Sequence, residues 1–281
     1  MALKSYNNVA IPSFMYGTAW KKEATAHLVQ LAITSGFTAI DTANQLVHYD
    51  EALVGAALRT LGKNGIERDQ LFLQTKFTSV DGQDQRTPYD PSADLTTQVG
   101  QSFESSLSHL GTDYLDSYVL HAPFQRRGLG RADWEVWSAM EGLCESGKTR
   151  MIGISNVTAP QLAQLCEQAK IKPMVVQNRC YAVLGWDMEV REICEAHGII
   201  YQGFSLLTAN RQVLAEADVQ AIAARLGTGP AQVIFRFAMQ AGMLPLTGTT
   251  NVEHMREDLA AEQVSLTEAE VGRIETIALR E

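Results

Sequence analysis

Short apolar runs recur along this chain at residues 14–18, 39–42, 71–76, 115–121, 151–156, 174–178, 199–205 and 243–247. Each has the length of a strand buried on both faces. Segments with helical periodicity separate most of them, at 24–35, 95–110, 134–146, 159–169, 188–197 and 218–226. Strand and helix alternating in this way predict βα units and a parallel sheet, and eight such units suggest a closed (β/α)8 barrel of the TIM type. Gly36, Gly147, Gly198 and Gly242 follow helical segments where C-terminal caps are expected. There is no internal repeat or linker, so the reading is a single domain over residues 1–281, with the polar stretch 79–92 as a loop at the barrel mouth.

Three of the runs end in an ionisable residue: Asp41, Lys76 and His121. A parallel barrel delivers such residues to its mouth, where active sites are built from strand ends and the loops that follow them. Tyr49 lies in the loop after Asp41 and could join them in one proton-transfer site. Taken singly, each has a plainer explanation. Lys76 could be a barrel-mouth ion pair, Asp41 a helix cap and His121 a hydrogen-bonded core residue. Lys76 could also serve an aldolase or isomerase as a Schiff-base nucleophile.

The order and setting of these residues resemble the aldo-keto reductase superfamily. The matching fragments are Ile40-Asp41-Thr42-Ala43 with a Tyr downstream, Gln74-Thr75-Lys76, residues 115–123 ending in His121-Ala122-Pro123, Gly153-Ile154-Ser155-Asn156 and Val175-Val176-Gln177. They run in family order from about Phe14 to Leu259. The resemblance implies an NADPH-dependent reductase of aldehydes or ketones, with NADH as a possible substitute and a small-molecule carbonyl as the partner. It makes Tyr49 the proton donor, Lys76 and Asp41 its tuning pair, and His121 the residue that orients the substrate. The chemistry suits these types, because a phenol with a reference pKa near 10 needs a neighbouring ammonium to exchange its proton readily. One departure stands out. The family commonly places Tyr five residues after the Asp, where this chain has Leu46, with Tyr49 eight residues on and His48 as a competing acid.

No strand–GxGxxG–helix unit and no P-loop is present, and Gly128-Leu129-Gly130 lacks the third Gly. The resemblance instead implies a nicotinamide cofactor stretched across the barrel mouth. Its expected contacts are Gly17, Thr18, Ala19 and Asp41 at the first strands, and Ser155, Asn156 and Gln177 for the carboxamide. Phe204 would stack on the nicotinamide ring, with Ser205 and Leu206 beside it, the alternative being that Phe204 is barrel core. At the adenosine end the expected residues are Gly248, Thr249, Thr250, His254, Glu257 and Asp258. There Gly248 stands for a usual Lys and His254 for a usual Arg, so a helix start at 249–251 is left to hold phosphate, with Arg211 or Arg256 as alternative cations. Substrate walls are expected from Trp20, Tyr49, Phe77, His121 and Phe124. A third possibility is a nicotinamide-binding regulatory protein whose chemistry has lapsed.

Composition narrows the partners. A net charge of -9 argues against nucleic acid and anionic membranes, and no run approaches the roughly 18 apolar residues of a membrane span. Cys144, Cys166, Cys180 and Cys194 form no CxxC and no Cys/His cluster, so reduced thiols, no metal and a cytoplasmic location are expected. The N-terminal residues from Met1 to Asn8 lack an apolar signal core. A reduced hairpin is expected at 3–12. The chain stops at Glu281 after a helix-like 267–279, so the long substrate-covering tail of many relatives is expected to be missing and the pocket more open. A monomer is expected.

Overall fold

The expected strands pair in chain order and close on themselves. The computed structural model describes residues 3–279; Met1, Ala2, Arg280 and Glu281, at the ends of the expected domain, lie outside the described residues. An antiparallel hairpin of β1 (Leu3–Lys4) and β2 (Ala10–Ile11) comes first. Eight parallel strands follow: β3 (Met15–Gly17), β4 (Ala39–Asp41), β5 (Phe72–Phe77), β6 (Leu115–Leu120), β7 (Thr149–Ser155), β8 (Val175–Arg179), β9 (Ile200–Phe204) and β10 (Met243–Thr247). β10 pairs back onto β3 and completes the barrel. Helices clothe it, among them α1 (Thr25–Ser35), α2 (Glu51–Lys63), α3 (Leu95–Leu110), α4 (Arg131–Glu145), α5 (Ala159–Gln168) and α6 (Met188–His197). After β9 come α7 (Arg211–Leu214), α8 (Ala217–Leu226) and α9 (Pro230–Gln240), and after β10 α10 (Val252–Ala260) and α11 (Glu268–Glu275).

Alternation along the strands sorts the side chains into two cores. Met15, Ala39, Phe72, Val119, Met151, Val175 and Ile200 fill the barrel axis, and Ile11 from the hairpin joins them. Tyr16, Ile40, Leu73, Tyr118, Ile152, Val176 and Tyr201 face the helices instead. Gly153 faces inward in β7, where a Cβ would lie 2.3 Å from the Val175 side chain, so only glycine fits. One step toward the mouth the inward positions turn polar: Asp41, Gln74, Lys76, Gln177 and Gln202, all buried.

Gly36, Gly147, Gly198 and Gly242 all adopt positive φ at helix ends, as their position after helical segments predicts. Three helices, α2, α7 and α9, go beyond those predicted. In α9 the residues Val233, Ile234, Phe235, Phe237 and Ala238 are all buried, which blurs the helical period. α2 begins immediately after Tyr49, with Asp50 as its N-cap accepting from the Leu53 amide at 3.0 Å. The cap here is therefore Asp50 and not Asp41. No helix among the described residues is long and apolar enough to cross a membrane.

Candidate active site

Asp41 ends β4 and Lys76 faces it from β5, because the register sets Asp41 against Gln74, two residues before the lysine. The Lys76 ammonium lies 2.8 Å from Asp41 Oδ1 and 2.7 Å from Oδ2, and donates to the Thr42 carbonyl at 2.8 Å. Burial works against its charge, but Asp41 and Tyr49 outweigh this and hold Lys76 above the usual lysine range. Fully buried and surrounded by acceptors, this amine is poorly placed to attack a carbonyl carbon.

Tyr49 reaches the same place through a turn. The Gln45 carbonyl accepts from the His48 amide at 3.3 Å and the Tyr49 amide at 3.0 Å, and Leu46 and Val47 project into solvent. The extra length of the loop is taken up in that turn. On the far side Glu51, buried at the start of α2, accepts from Ser106 Oγ at 3.0 Å and meets His109 Nδ1 at 3.2 Å, which anchors the segment to α3. Held from both ends, the Tyr49 ring has its centroid 5.0 Å from Lys76 Nζ and 5.9 Å from the His121 ring. Burial raises the phenol, Lys76 pulls it down and Asp41 adds to the rise, leaving it above its ordinary value. His48 instead packs its ring on Trp20, 4.0 Å between centroids.

Burial and the Lys76 charge push His121 down to about 3, so its imidazole is neutral at physiological pH. Its Nδ1 lies 2.6 Å from Thr78 Oγ1. If the Thr78 hydroxyl donates, Nε2 carries the proton and can donate to an oxygen in the cavity. Thr78 is a residue that the motif-based reading misses. It sits two positions beyond Lys76, on the same inward parity, which is the signal that would have found it.

Asp41, Tyr49 and His121 form the floor of a 690 Å³ cavity at the C-terminal end of the barrel. It takes in Gly17, Ala19, Ser155, Asn156, Gln177, Phe204, Ser205 and Leu206, and beyond them Gly248, Thr249, His254, Glu257 and Asp258. Asn156, in a left-handed conformation, donates to the His121 carbonyl at 2.8 Å and to Ser155 Oγ at 3.1 Å. Its Oδ1 is thereby left as an acceptor. Asp258 accepts from Thr247 Oγ1 at 2.8 Å, and burial raises its carboxyl to about 6. Asn251 caps α10 through the amides of Glu253 and His254.

Several expected residues lie elsewhere. Thr18 is buried and donates to the Asp41 carbonyl at 3.0 Å, so it supports the strand and does not line the cavity. Thr250 is exposed outside it. Phe77 has the outward parity and is fully buried against Tyr89, 5.6 Å between ring centroids, which removes it from the substrate walls. Phe124 is half-buried in the loop before α4 and is also absent from the cavity wall, whereas Trp20 lines it. Neither Arg211 nor Arg256 lines the cavity. Among the described residues its one lysine or arginine is Lys21, whose ammonium donates to the Gly248 carbonyl and is pulled down by burial. The sequence carried a hint of this, since Lys21 closely follows the Gly17-Thr18-Ala19 turn.

Comparison with known proteins agrees with this geometry. The family model described as "Aldo/keto reductase family" matches residues 13–279. A glyoxal reductase of Bacillus subtilis is 30% identical over 279 residues, covering 98% of this chain and 92% of that protein. An NAD/NADP-dependent indole-3-acetaldehyde reductase of Schizosaccharomyces pombe is 27% identical over 284 residues, covering 97% and 93%. In fold the chain is similar to the aldose reductase of Schistosoma japonicum, with a TM-score of 0.85 at 24% identity over 100% of this chain and 93% of that one. With the barrel closed, the strand-end residues gathered at its mouth and nearly the whole length matched, the chain belongs to the aldo/keto reductase family.

Proposed function

We propose that this protein reduces aldehydes or ketones to alcohols with NADPH or NADH, using Tyr49 as the proton donor. The observation that carries the reading is the buried Asp41–Lys76 pair, with the ammonium 5.0 Å from the centroid of a half-buried tyrosine that opens onto the cavity. The cavity fits a dinucleotide: apolar and aromatic walls at Phe204 and Leu206, amide oxygens at Asn156 and Gln177, and one ammonium at Lys21. A reduced nicotinamide, when bound, supplies the hydride.

The chain's own residues do the rest. Phe204 offers a ring face for stacking, and its other neighbour is the Arg179 guanidinium, 5.5 Å from its centroid. His121, neutral, donates through Nε2 to the carbonyl oxygen and orients it. As negative charge develops on that oxygen, Tyr49 passes its phenolic proton to it, and the carbonyl becomes an alcohol. The Lys76 charge stabilises the tyrosinate left behind, which recovers a proton from solvent. The substrate-facing wall is Trp20, Tyr49 and His121.

Cofactor choice follows from the other end. His254 sits there with Glu257 and Asp258, and Lys21 lies across at Gly248, so a 2′-phosphate finds little positive charge. NADPH is accepted with a modest preference over NADH. The buried thiols of Cys166, Cys180 and Cys194 suit a reducing, cytoplasm-like compartment. The deciding experiment follows NADPH and NADH oxidation over a panel of aldehydes, ketones and keto acids. Tight cofactor binding without turnover of any of them would overturn the reading in favour of a regulatory binding protein.

A further inference from the structure

Three glutamines cross the barrel beside Asp41, and one of them, Gln177, reaches the cavity wall. Gln74 on β5 is in register with Asp41 on β4, and Gln202 on β9 is in register with Gln177 on β8, so two polar pairs face each other from opposite walls. All three are buried. Gln74 Nε2 donates to Asp41 Oδ1 at 2.8 Å and to Gln202 Oε1 at 2.7 Å. Gln177 Nε2 donates to the same two acceptors, each at 3.0 Å. Gln202 Nε2 returns a bond to Gln74 Oε1 at 2.9 Å.

The polarity of this ring is forced. A carboxylate only accepts, so Asp41 fixes the nitrogens of Gln74 and Gln177 toward itself. Gln202 must then turn its oxygen toward both. With both N–H groups of Gln177 engaged, its Oε1 is left for the cavity, which it lines. That oxygen suits the NH2 of a carboxamide. A fully bonded amide ring in a low-dielectric interior is stiff, and each member polarises the next.

We propose that Gln74 and Gln202 are positioning residues that join the carboxamide subsite at Gln177 to the Asp41–Lys76–Tyr49 proton machinery in one hydrogen-bonded unit. This rests on the reading of Gln177 as a cofactor contact and Tyr49 as the donor. Two effects follow from one remote substitution. Gln202→Met removes the shared acceptor and loosens both amides. Gln177 then holds the carboxamide less well, and Asp41 loses part of its N–H donation, which makes the potential at Tyr49 more negative.

The test measures dissociation constants for NADH and for its acetylpyridine analogue, in which a methyl ketone replaces the carboxamide and the NH2 is absent. The unmodified protein should favour NADH by about tenfold, the value of one hydrogen bond of ordinary strength. In Gln202→Met that preference should shrink by about threefold or more, and the basic limb of the kcat profile should move to higher pH. Gln202→Glu keeps an acceptor for both neighbours and should retain the preference; a loss there equal to that in Gln202→Met would place the effect in packing and overturn the proposal. A folded Gln202→Met protein with both readouts unchanged would also overturn it. Should that variant not fold, Gln74→Met removes one donor from Asp41 and must raise the same basic limb, and an unmoved limb refutes the coupling. The binding arm needs no turnover, so it survives a mistaken donor assignment. If neither dinucleotide binds the unmodified protein the cofactor reading itself falls, whereas equal binding of both overturns this inference alone.

Discussion

The two ends of the cavity are built in opposite ways. At the proton-donor end Asp41, Lys76 and the glutamines behind them are buried, each with several partners within 3.0 Å. At the end proposed for the adenosine Gly248 and His254 are exposed and the nearby ammonium, Lys21, is held by a backbone carbonyl. A buried, mutually bonded constellation cannot lose one member without stranding the others, while an exposed phosphate contact can be exchanged at small cost. Under the proposed function, the contrast means that chemistry is specified tightly and cofactor choice loosely.

The largest expected effect is at the donor. Tyr49→Phe should lower kcat by about 10² to 10⁴-fold with little change in cofactor affinity, as proton donation typically contributes. If His48→Ala is the crippling change and Tyr49→Phe is nearly silent in steady-state kinetics, the assignment of the loop is wrong.

Lys76→Met should come next. It removes the one interaction that lowers the Tyr49 phenol, so the basic limb of the pH profile should move up while kcat at pH 7 falls. Stranding the Asp41 carboxylate in the interior should also cost about 3 to 5 kcal/mol in denaturant unfolding. Asp41→Asn removes a charge that raises the phenol, so it should move the limb the other way and by less. Unmoved limbs in both variants would separate the pair from proton transfer.

At the other end effects shrink. Asp258 is raised from 3.8 to about 6 by burial, so the folded state binds its proton more tightly than the unfolded chain. Its ionisation thus weakens the fold as pH rises from about 4 to 6, fully above about pH 6, and the penalty is gone below about pH 4. Asp258→Asn should stabilise by about 1 to 2 kcal/mol at pH 8 and hardly at all at pH 4, once its weaker bond to Thr247 is discounted. Equal effects at the two pH values would show that the carboxyl is not the source. Smallest is Gly248→Lys, which should raise the NADPH over NADH preference by less than about tenfold. A Cβ there lies 3.3 Å from Lys21 Nζ and 3.4 Å from the Gly17 carbonyl, so Lys21 must give way. A strong NADPH preference in the unmodified protein, unaffected by this change, would mean that another cation holds the phosphate.

How much of this was legible in the sequence follows the same divide. The strands could be read because buried parallel strands are continuous apolar runs, and Asp41, Lys76 and His121 stood out as ionisable residues at their ends. Phe77 was misplaced and Thr78 missed for one reason: a motif marks a neighbourhood, while the period of two decides which neighbour faces in. Gln202 carried no local signal, because its partner Gln74 is 128 residues away and only barrel closure brings them together. Lys21 gave only the hint of its place after Gly17-Thr18-Ala19, since its contact at Gly248 crosses the seam between the first and last strands.

The cysteines have a practical consequence. Cys166, Cys180 and Cys194 are buried and Cys144 is half-buried, and all four thiols are pushed upward by burial. Protonated and sheltered, they should react sluggishly with maleimides. A cysteine introduced by Leu46→Cys, on the exposed turn beside the barrel mouth, should then take up a fluorophore selectively in the unmodified background. Such a conjugate would turn occupancy of the pocket into an optical signal without any turnover.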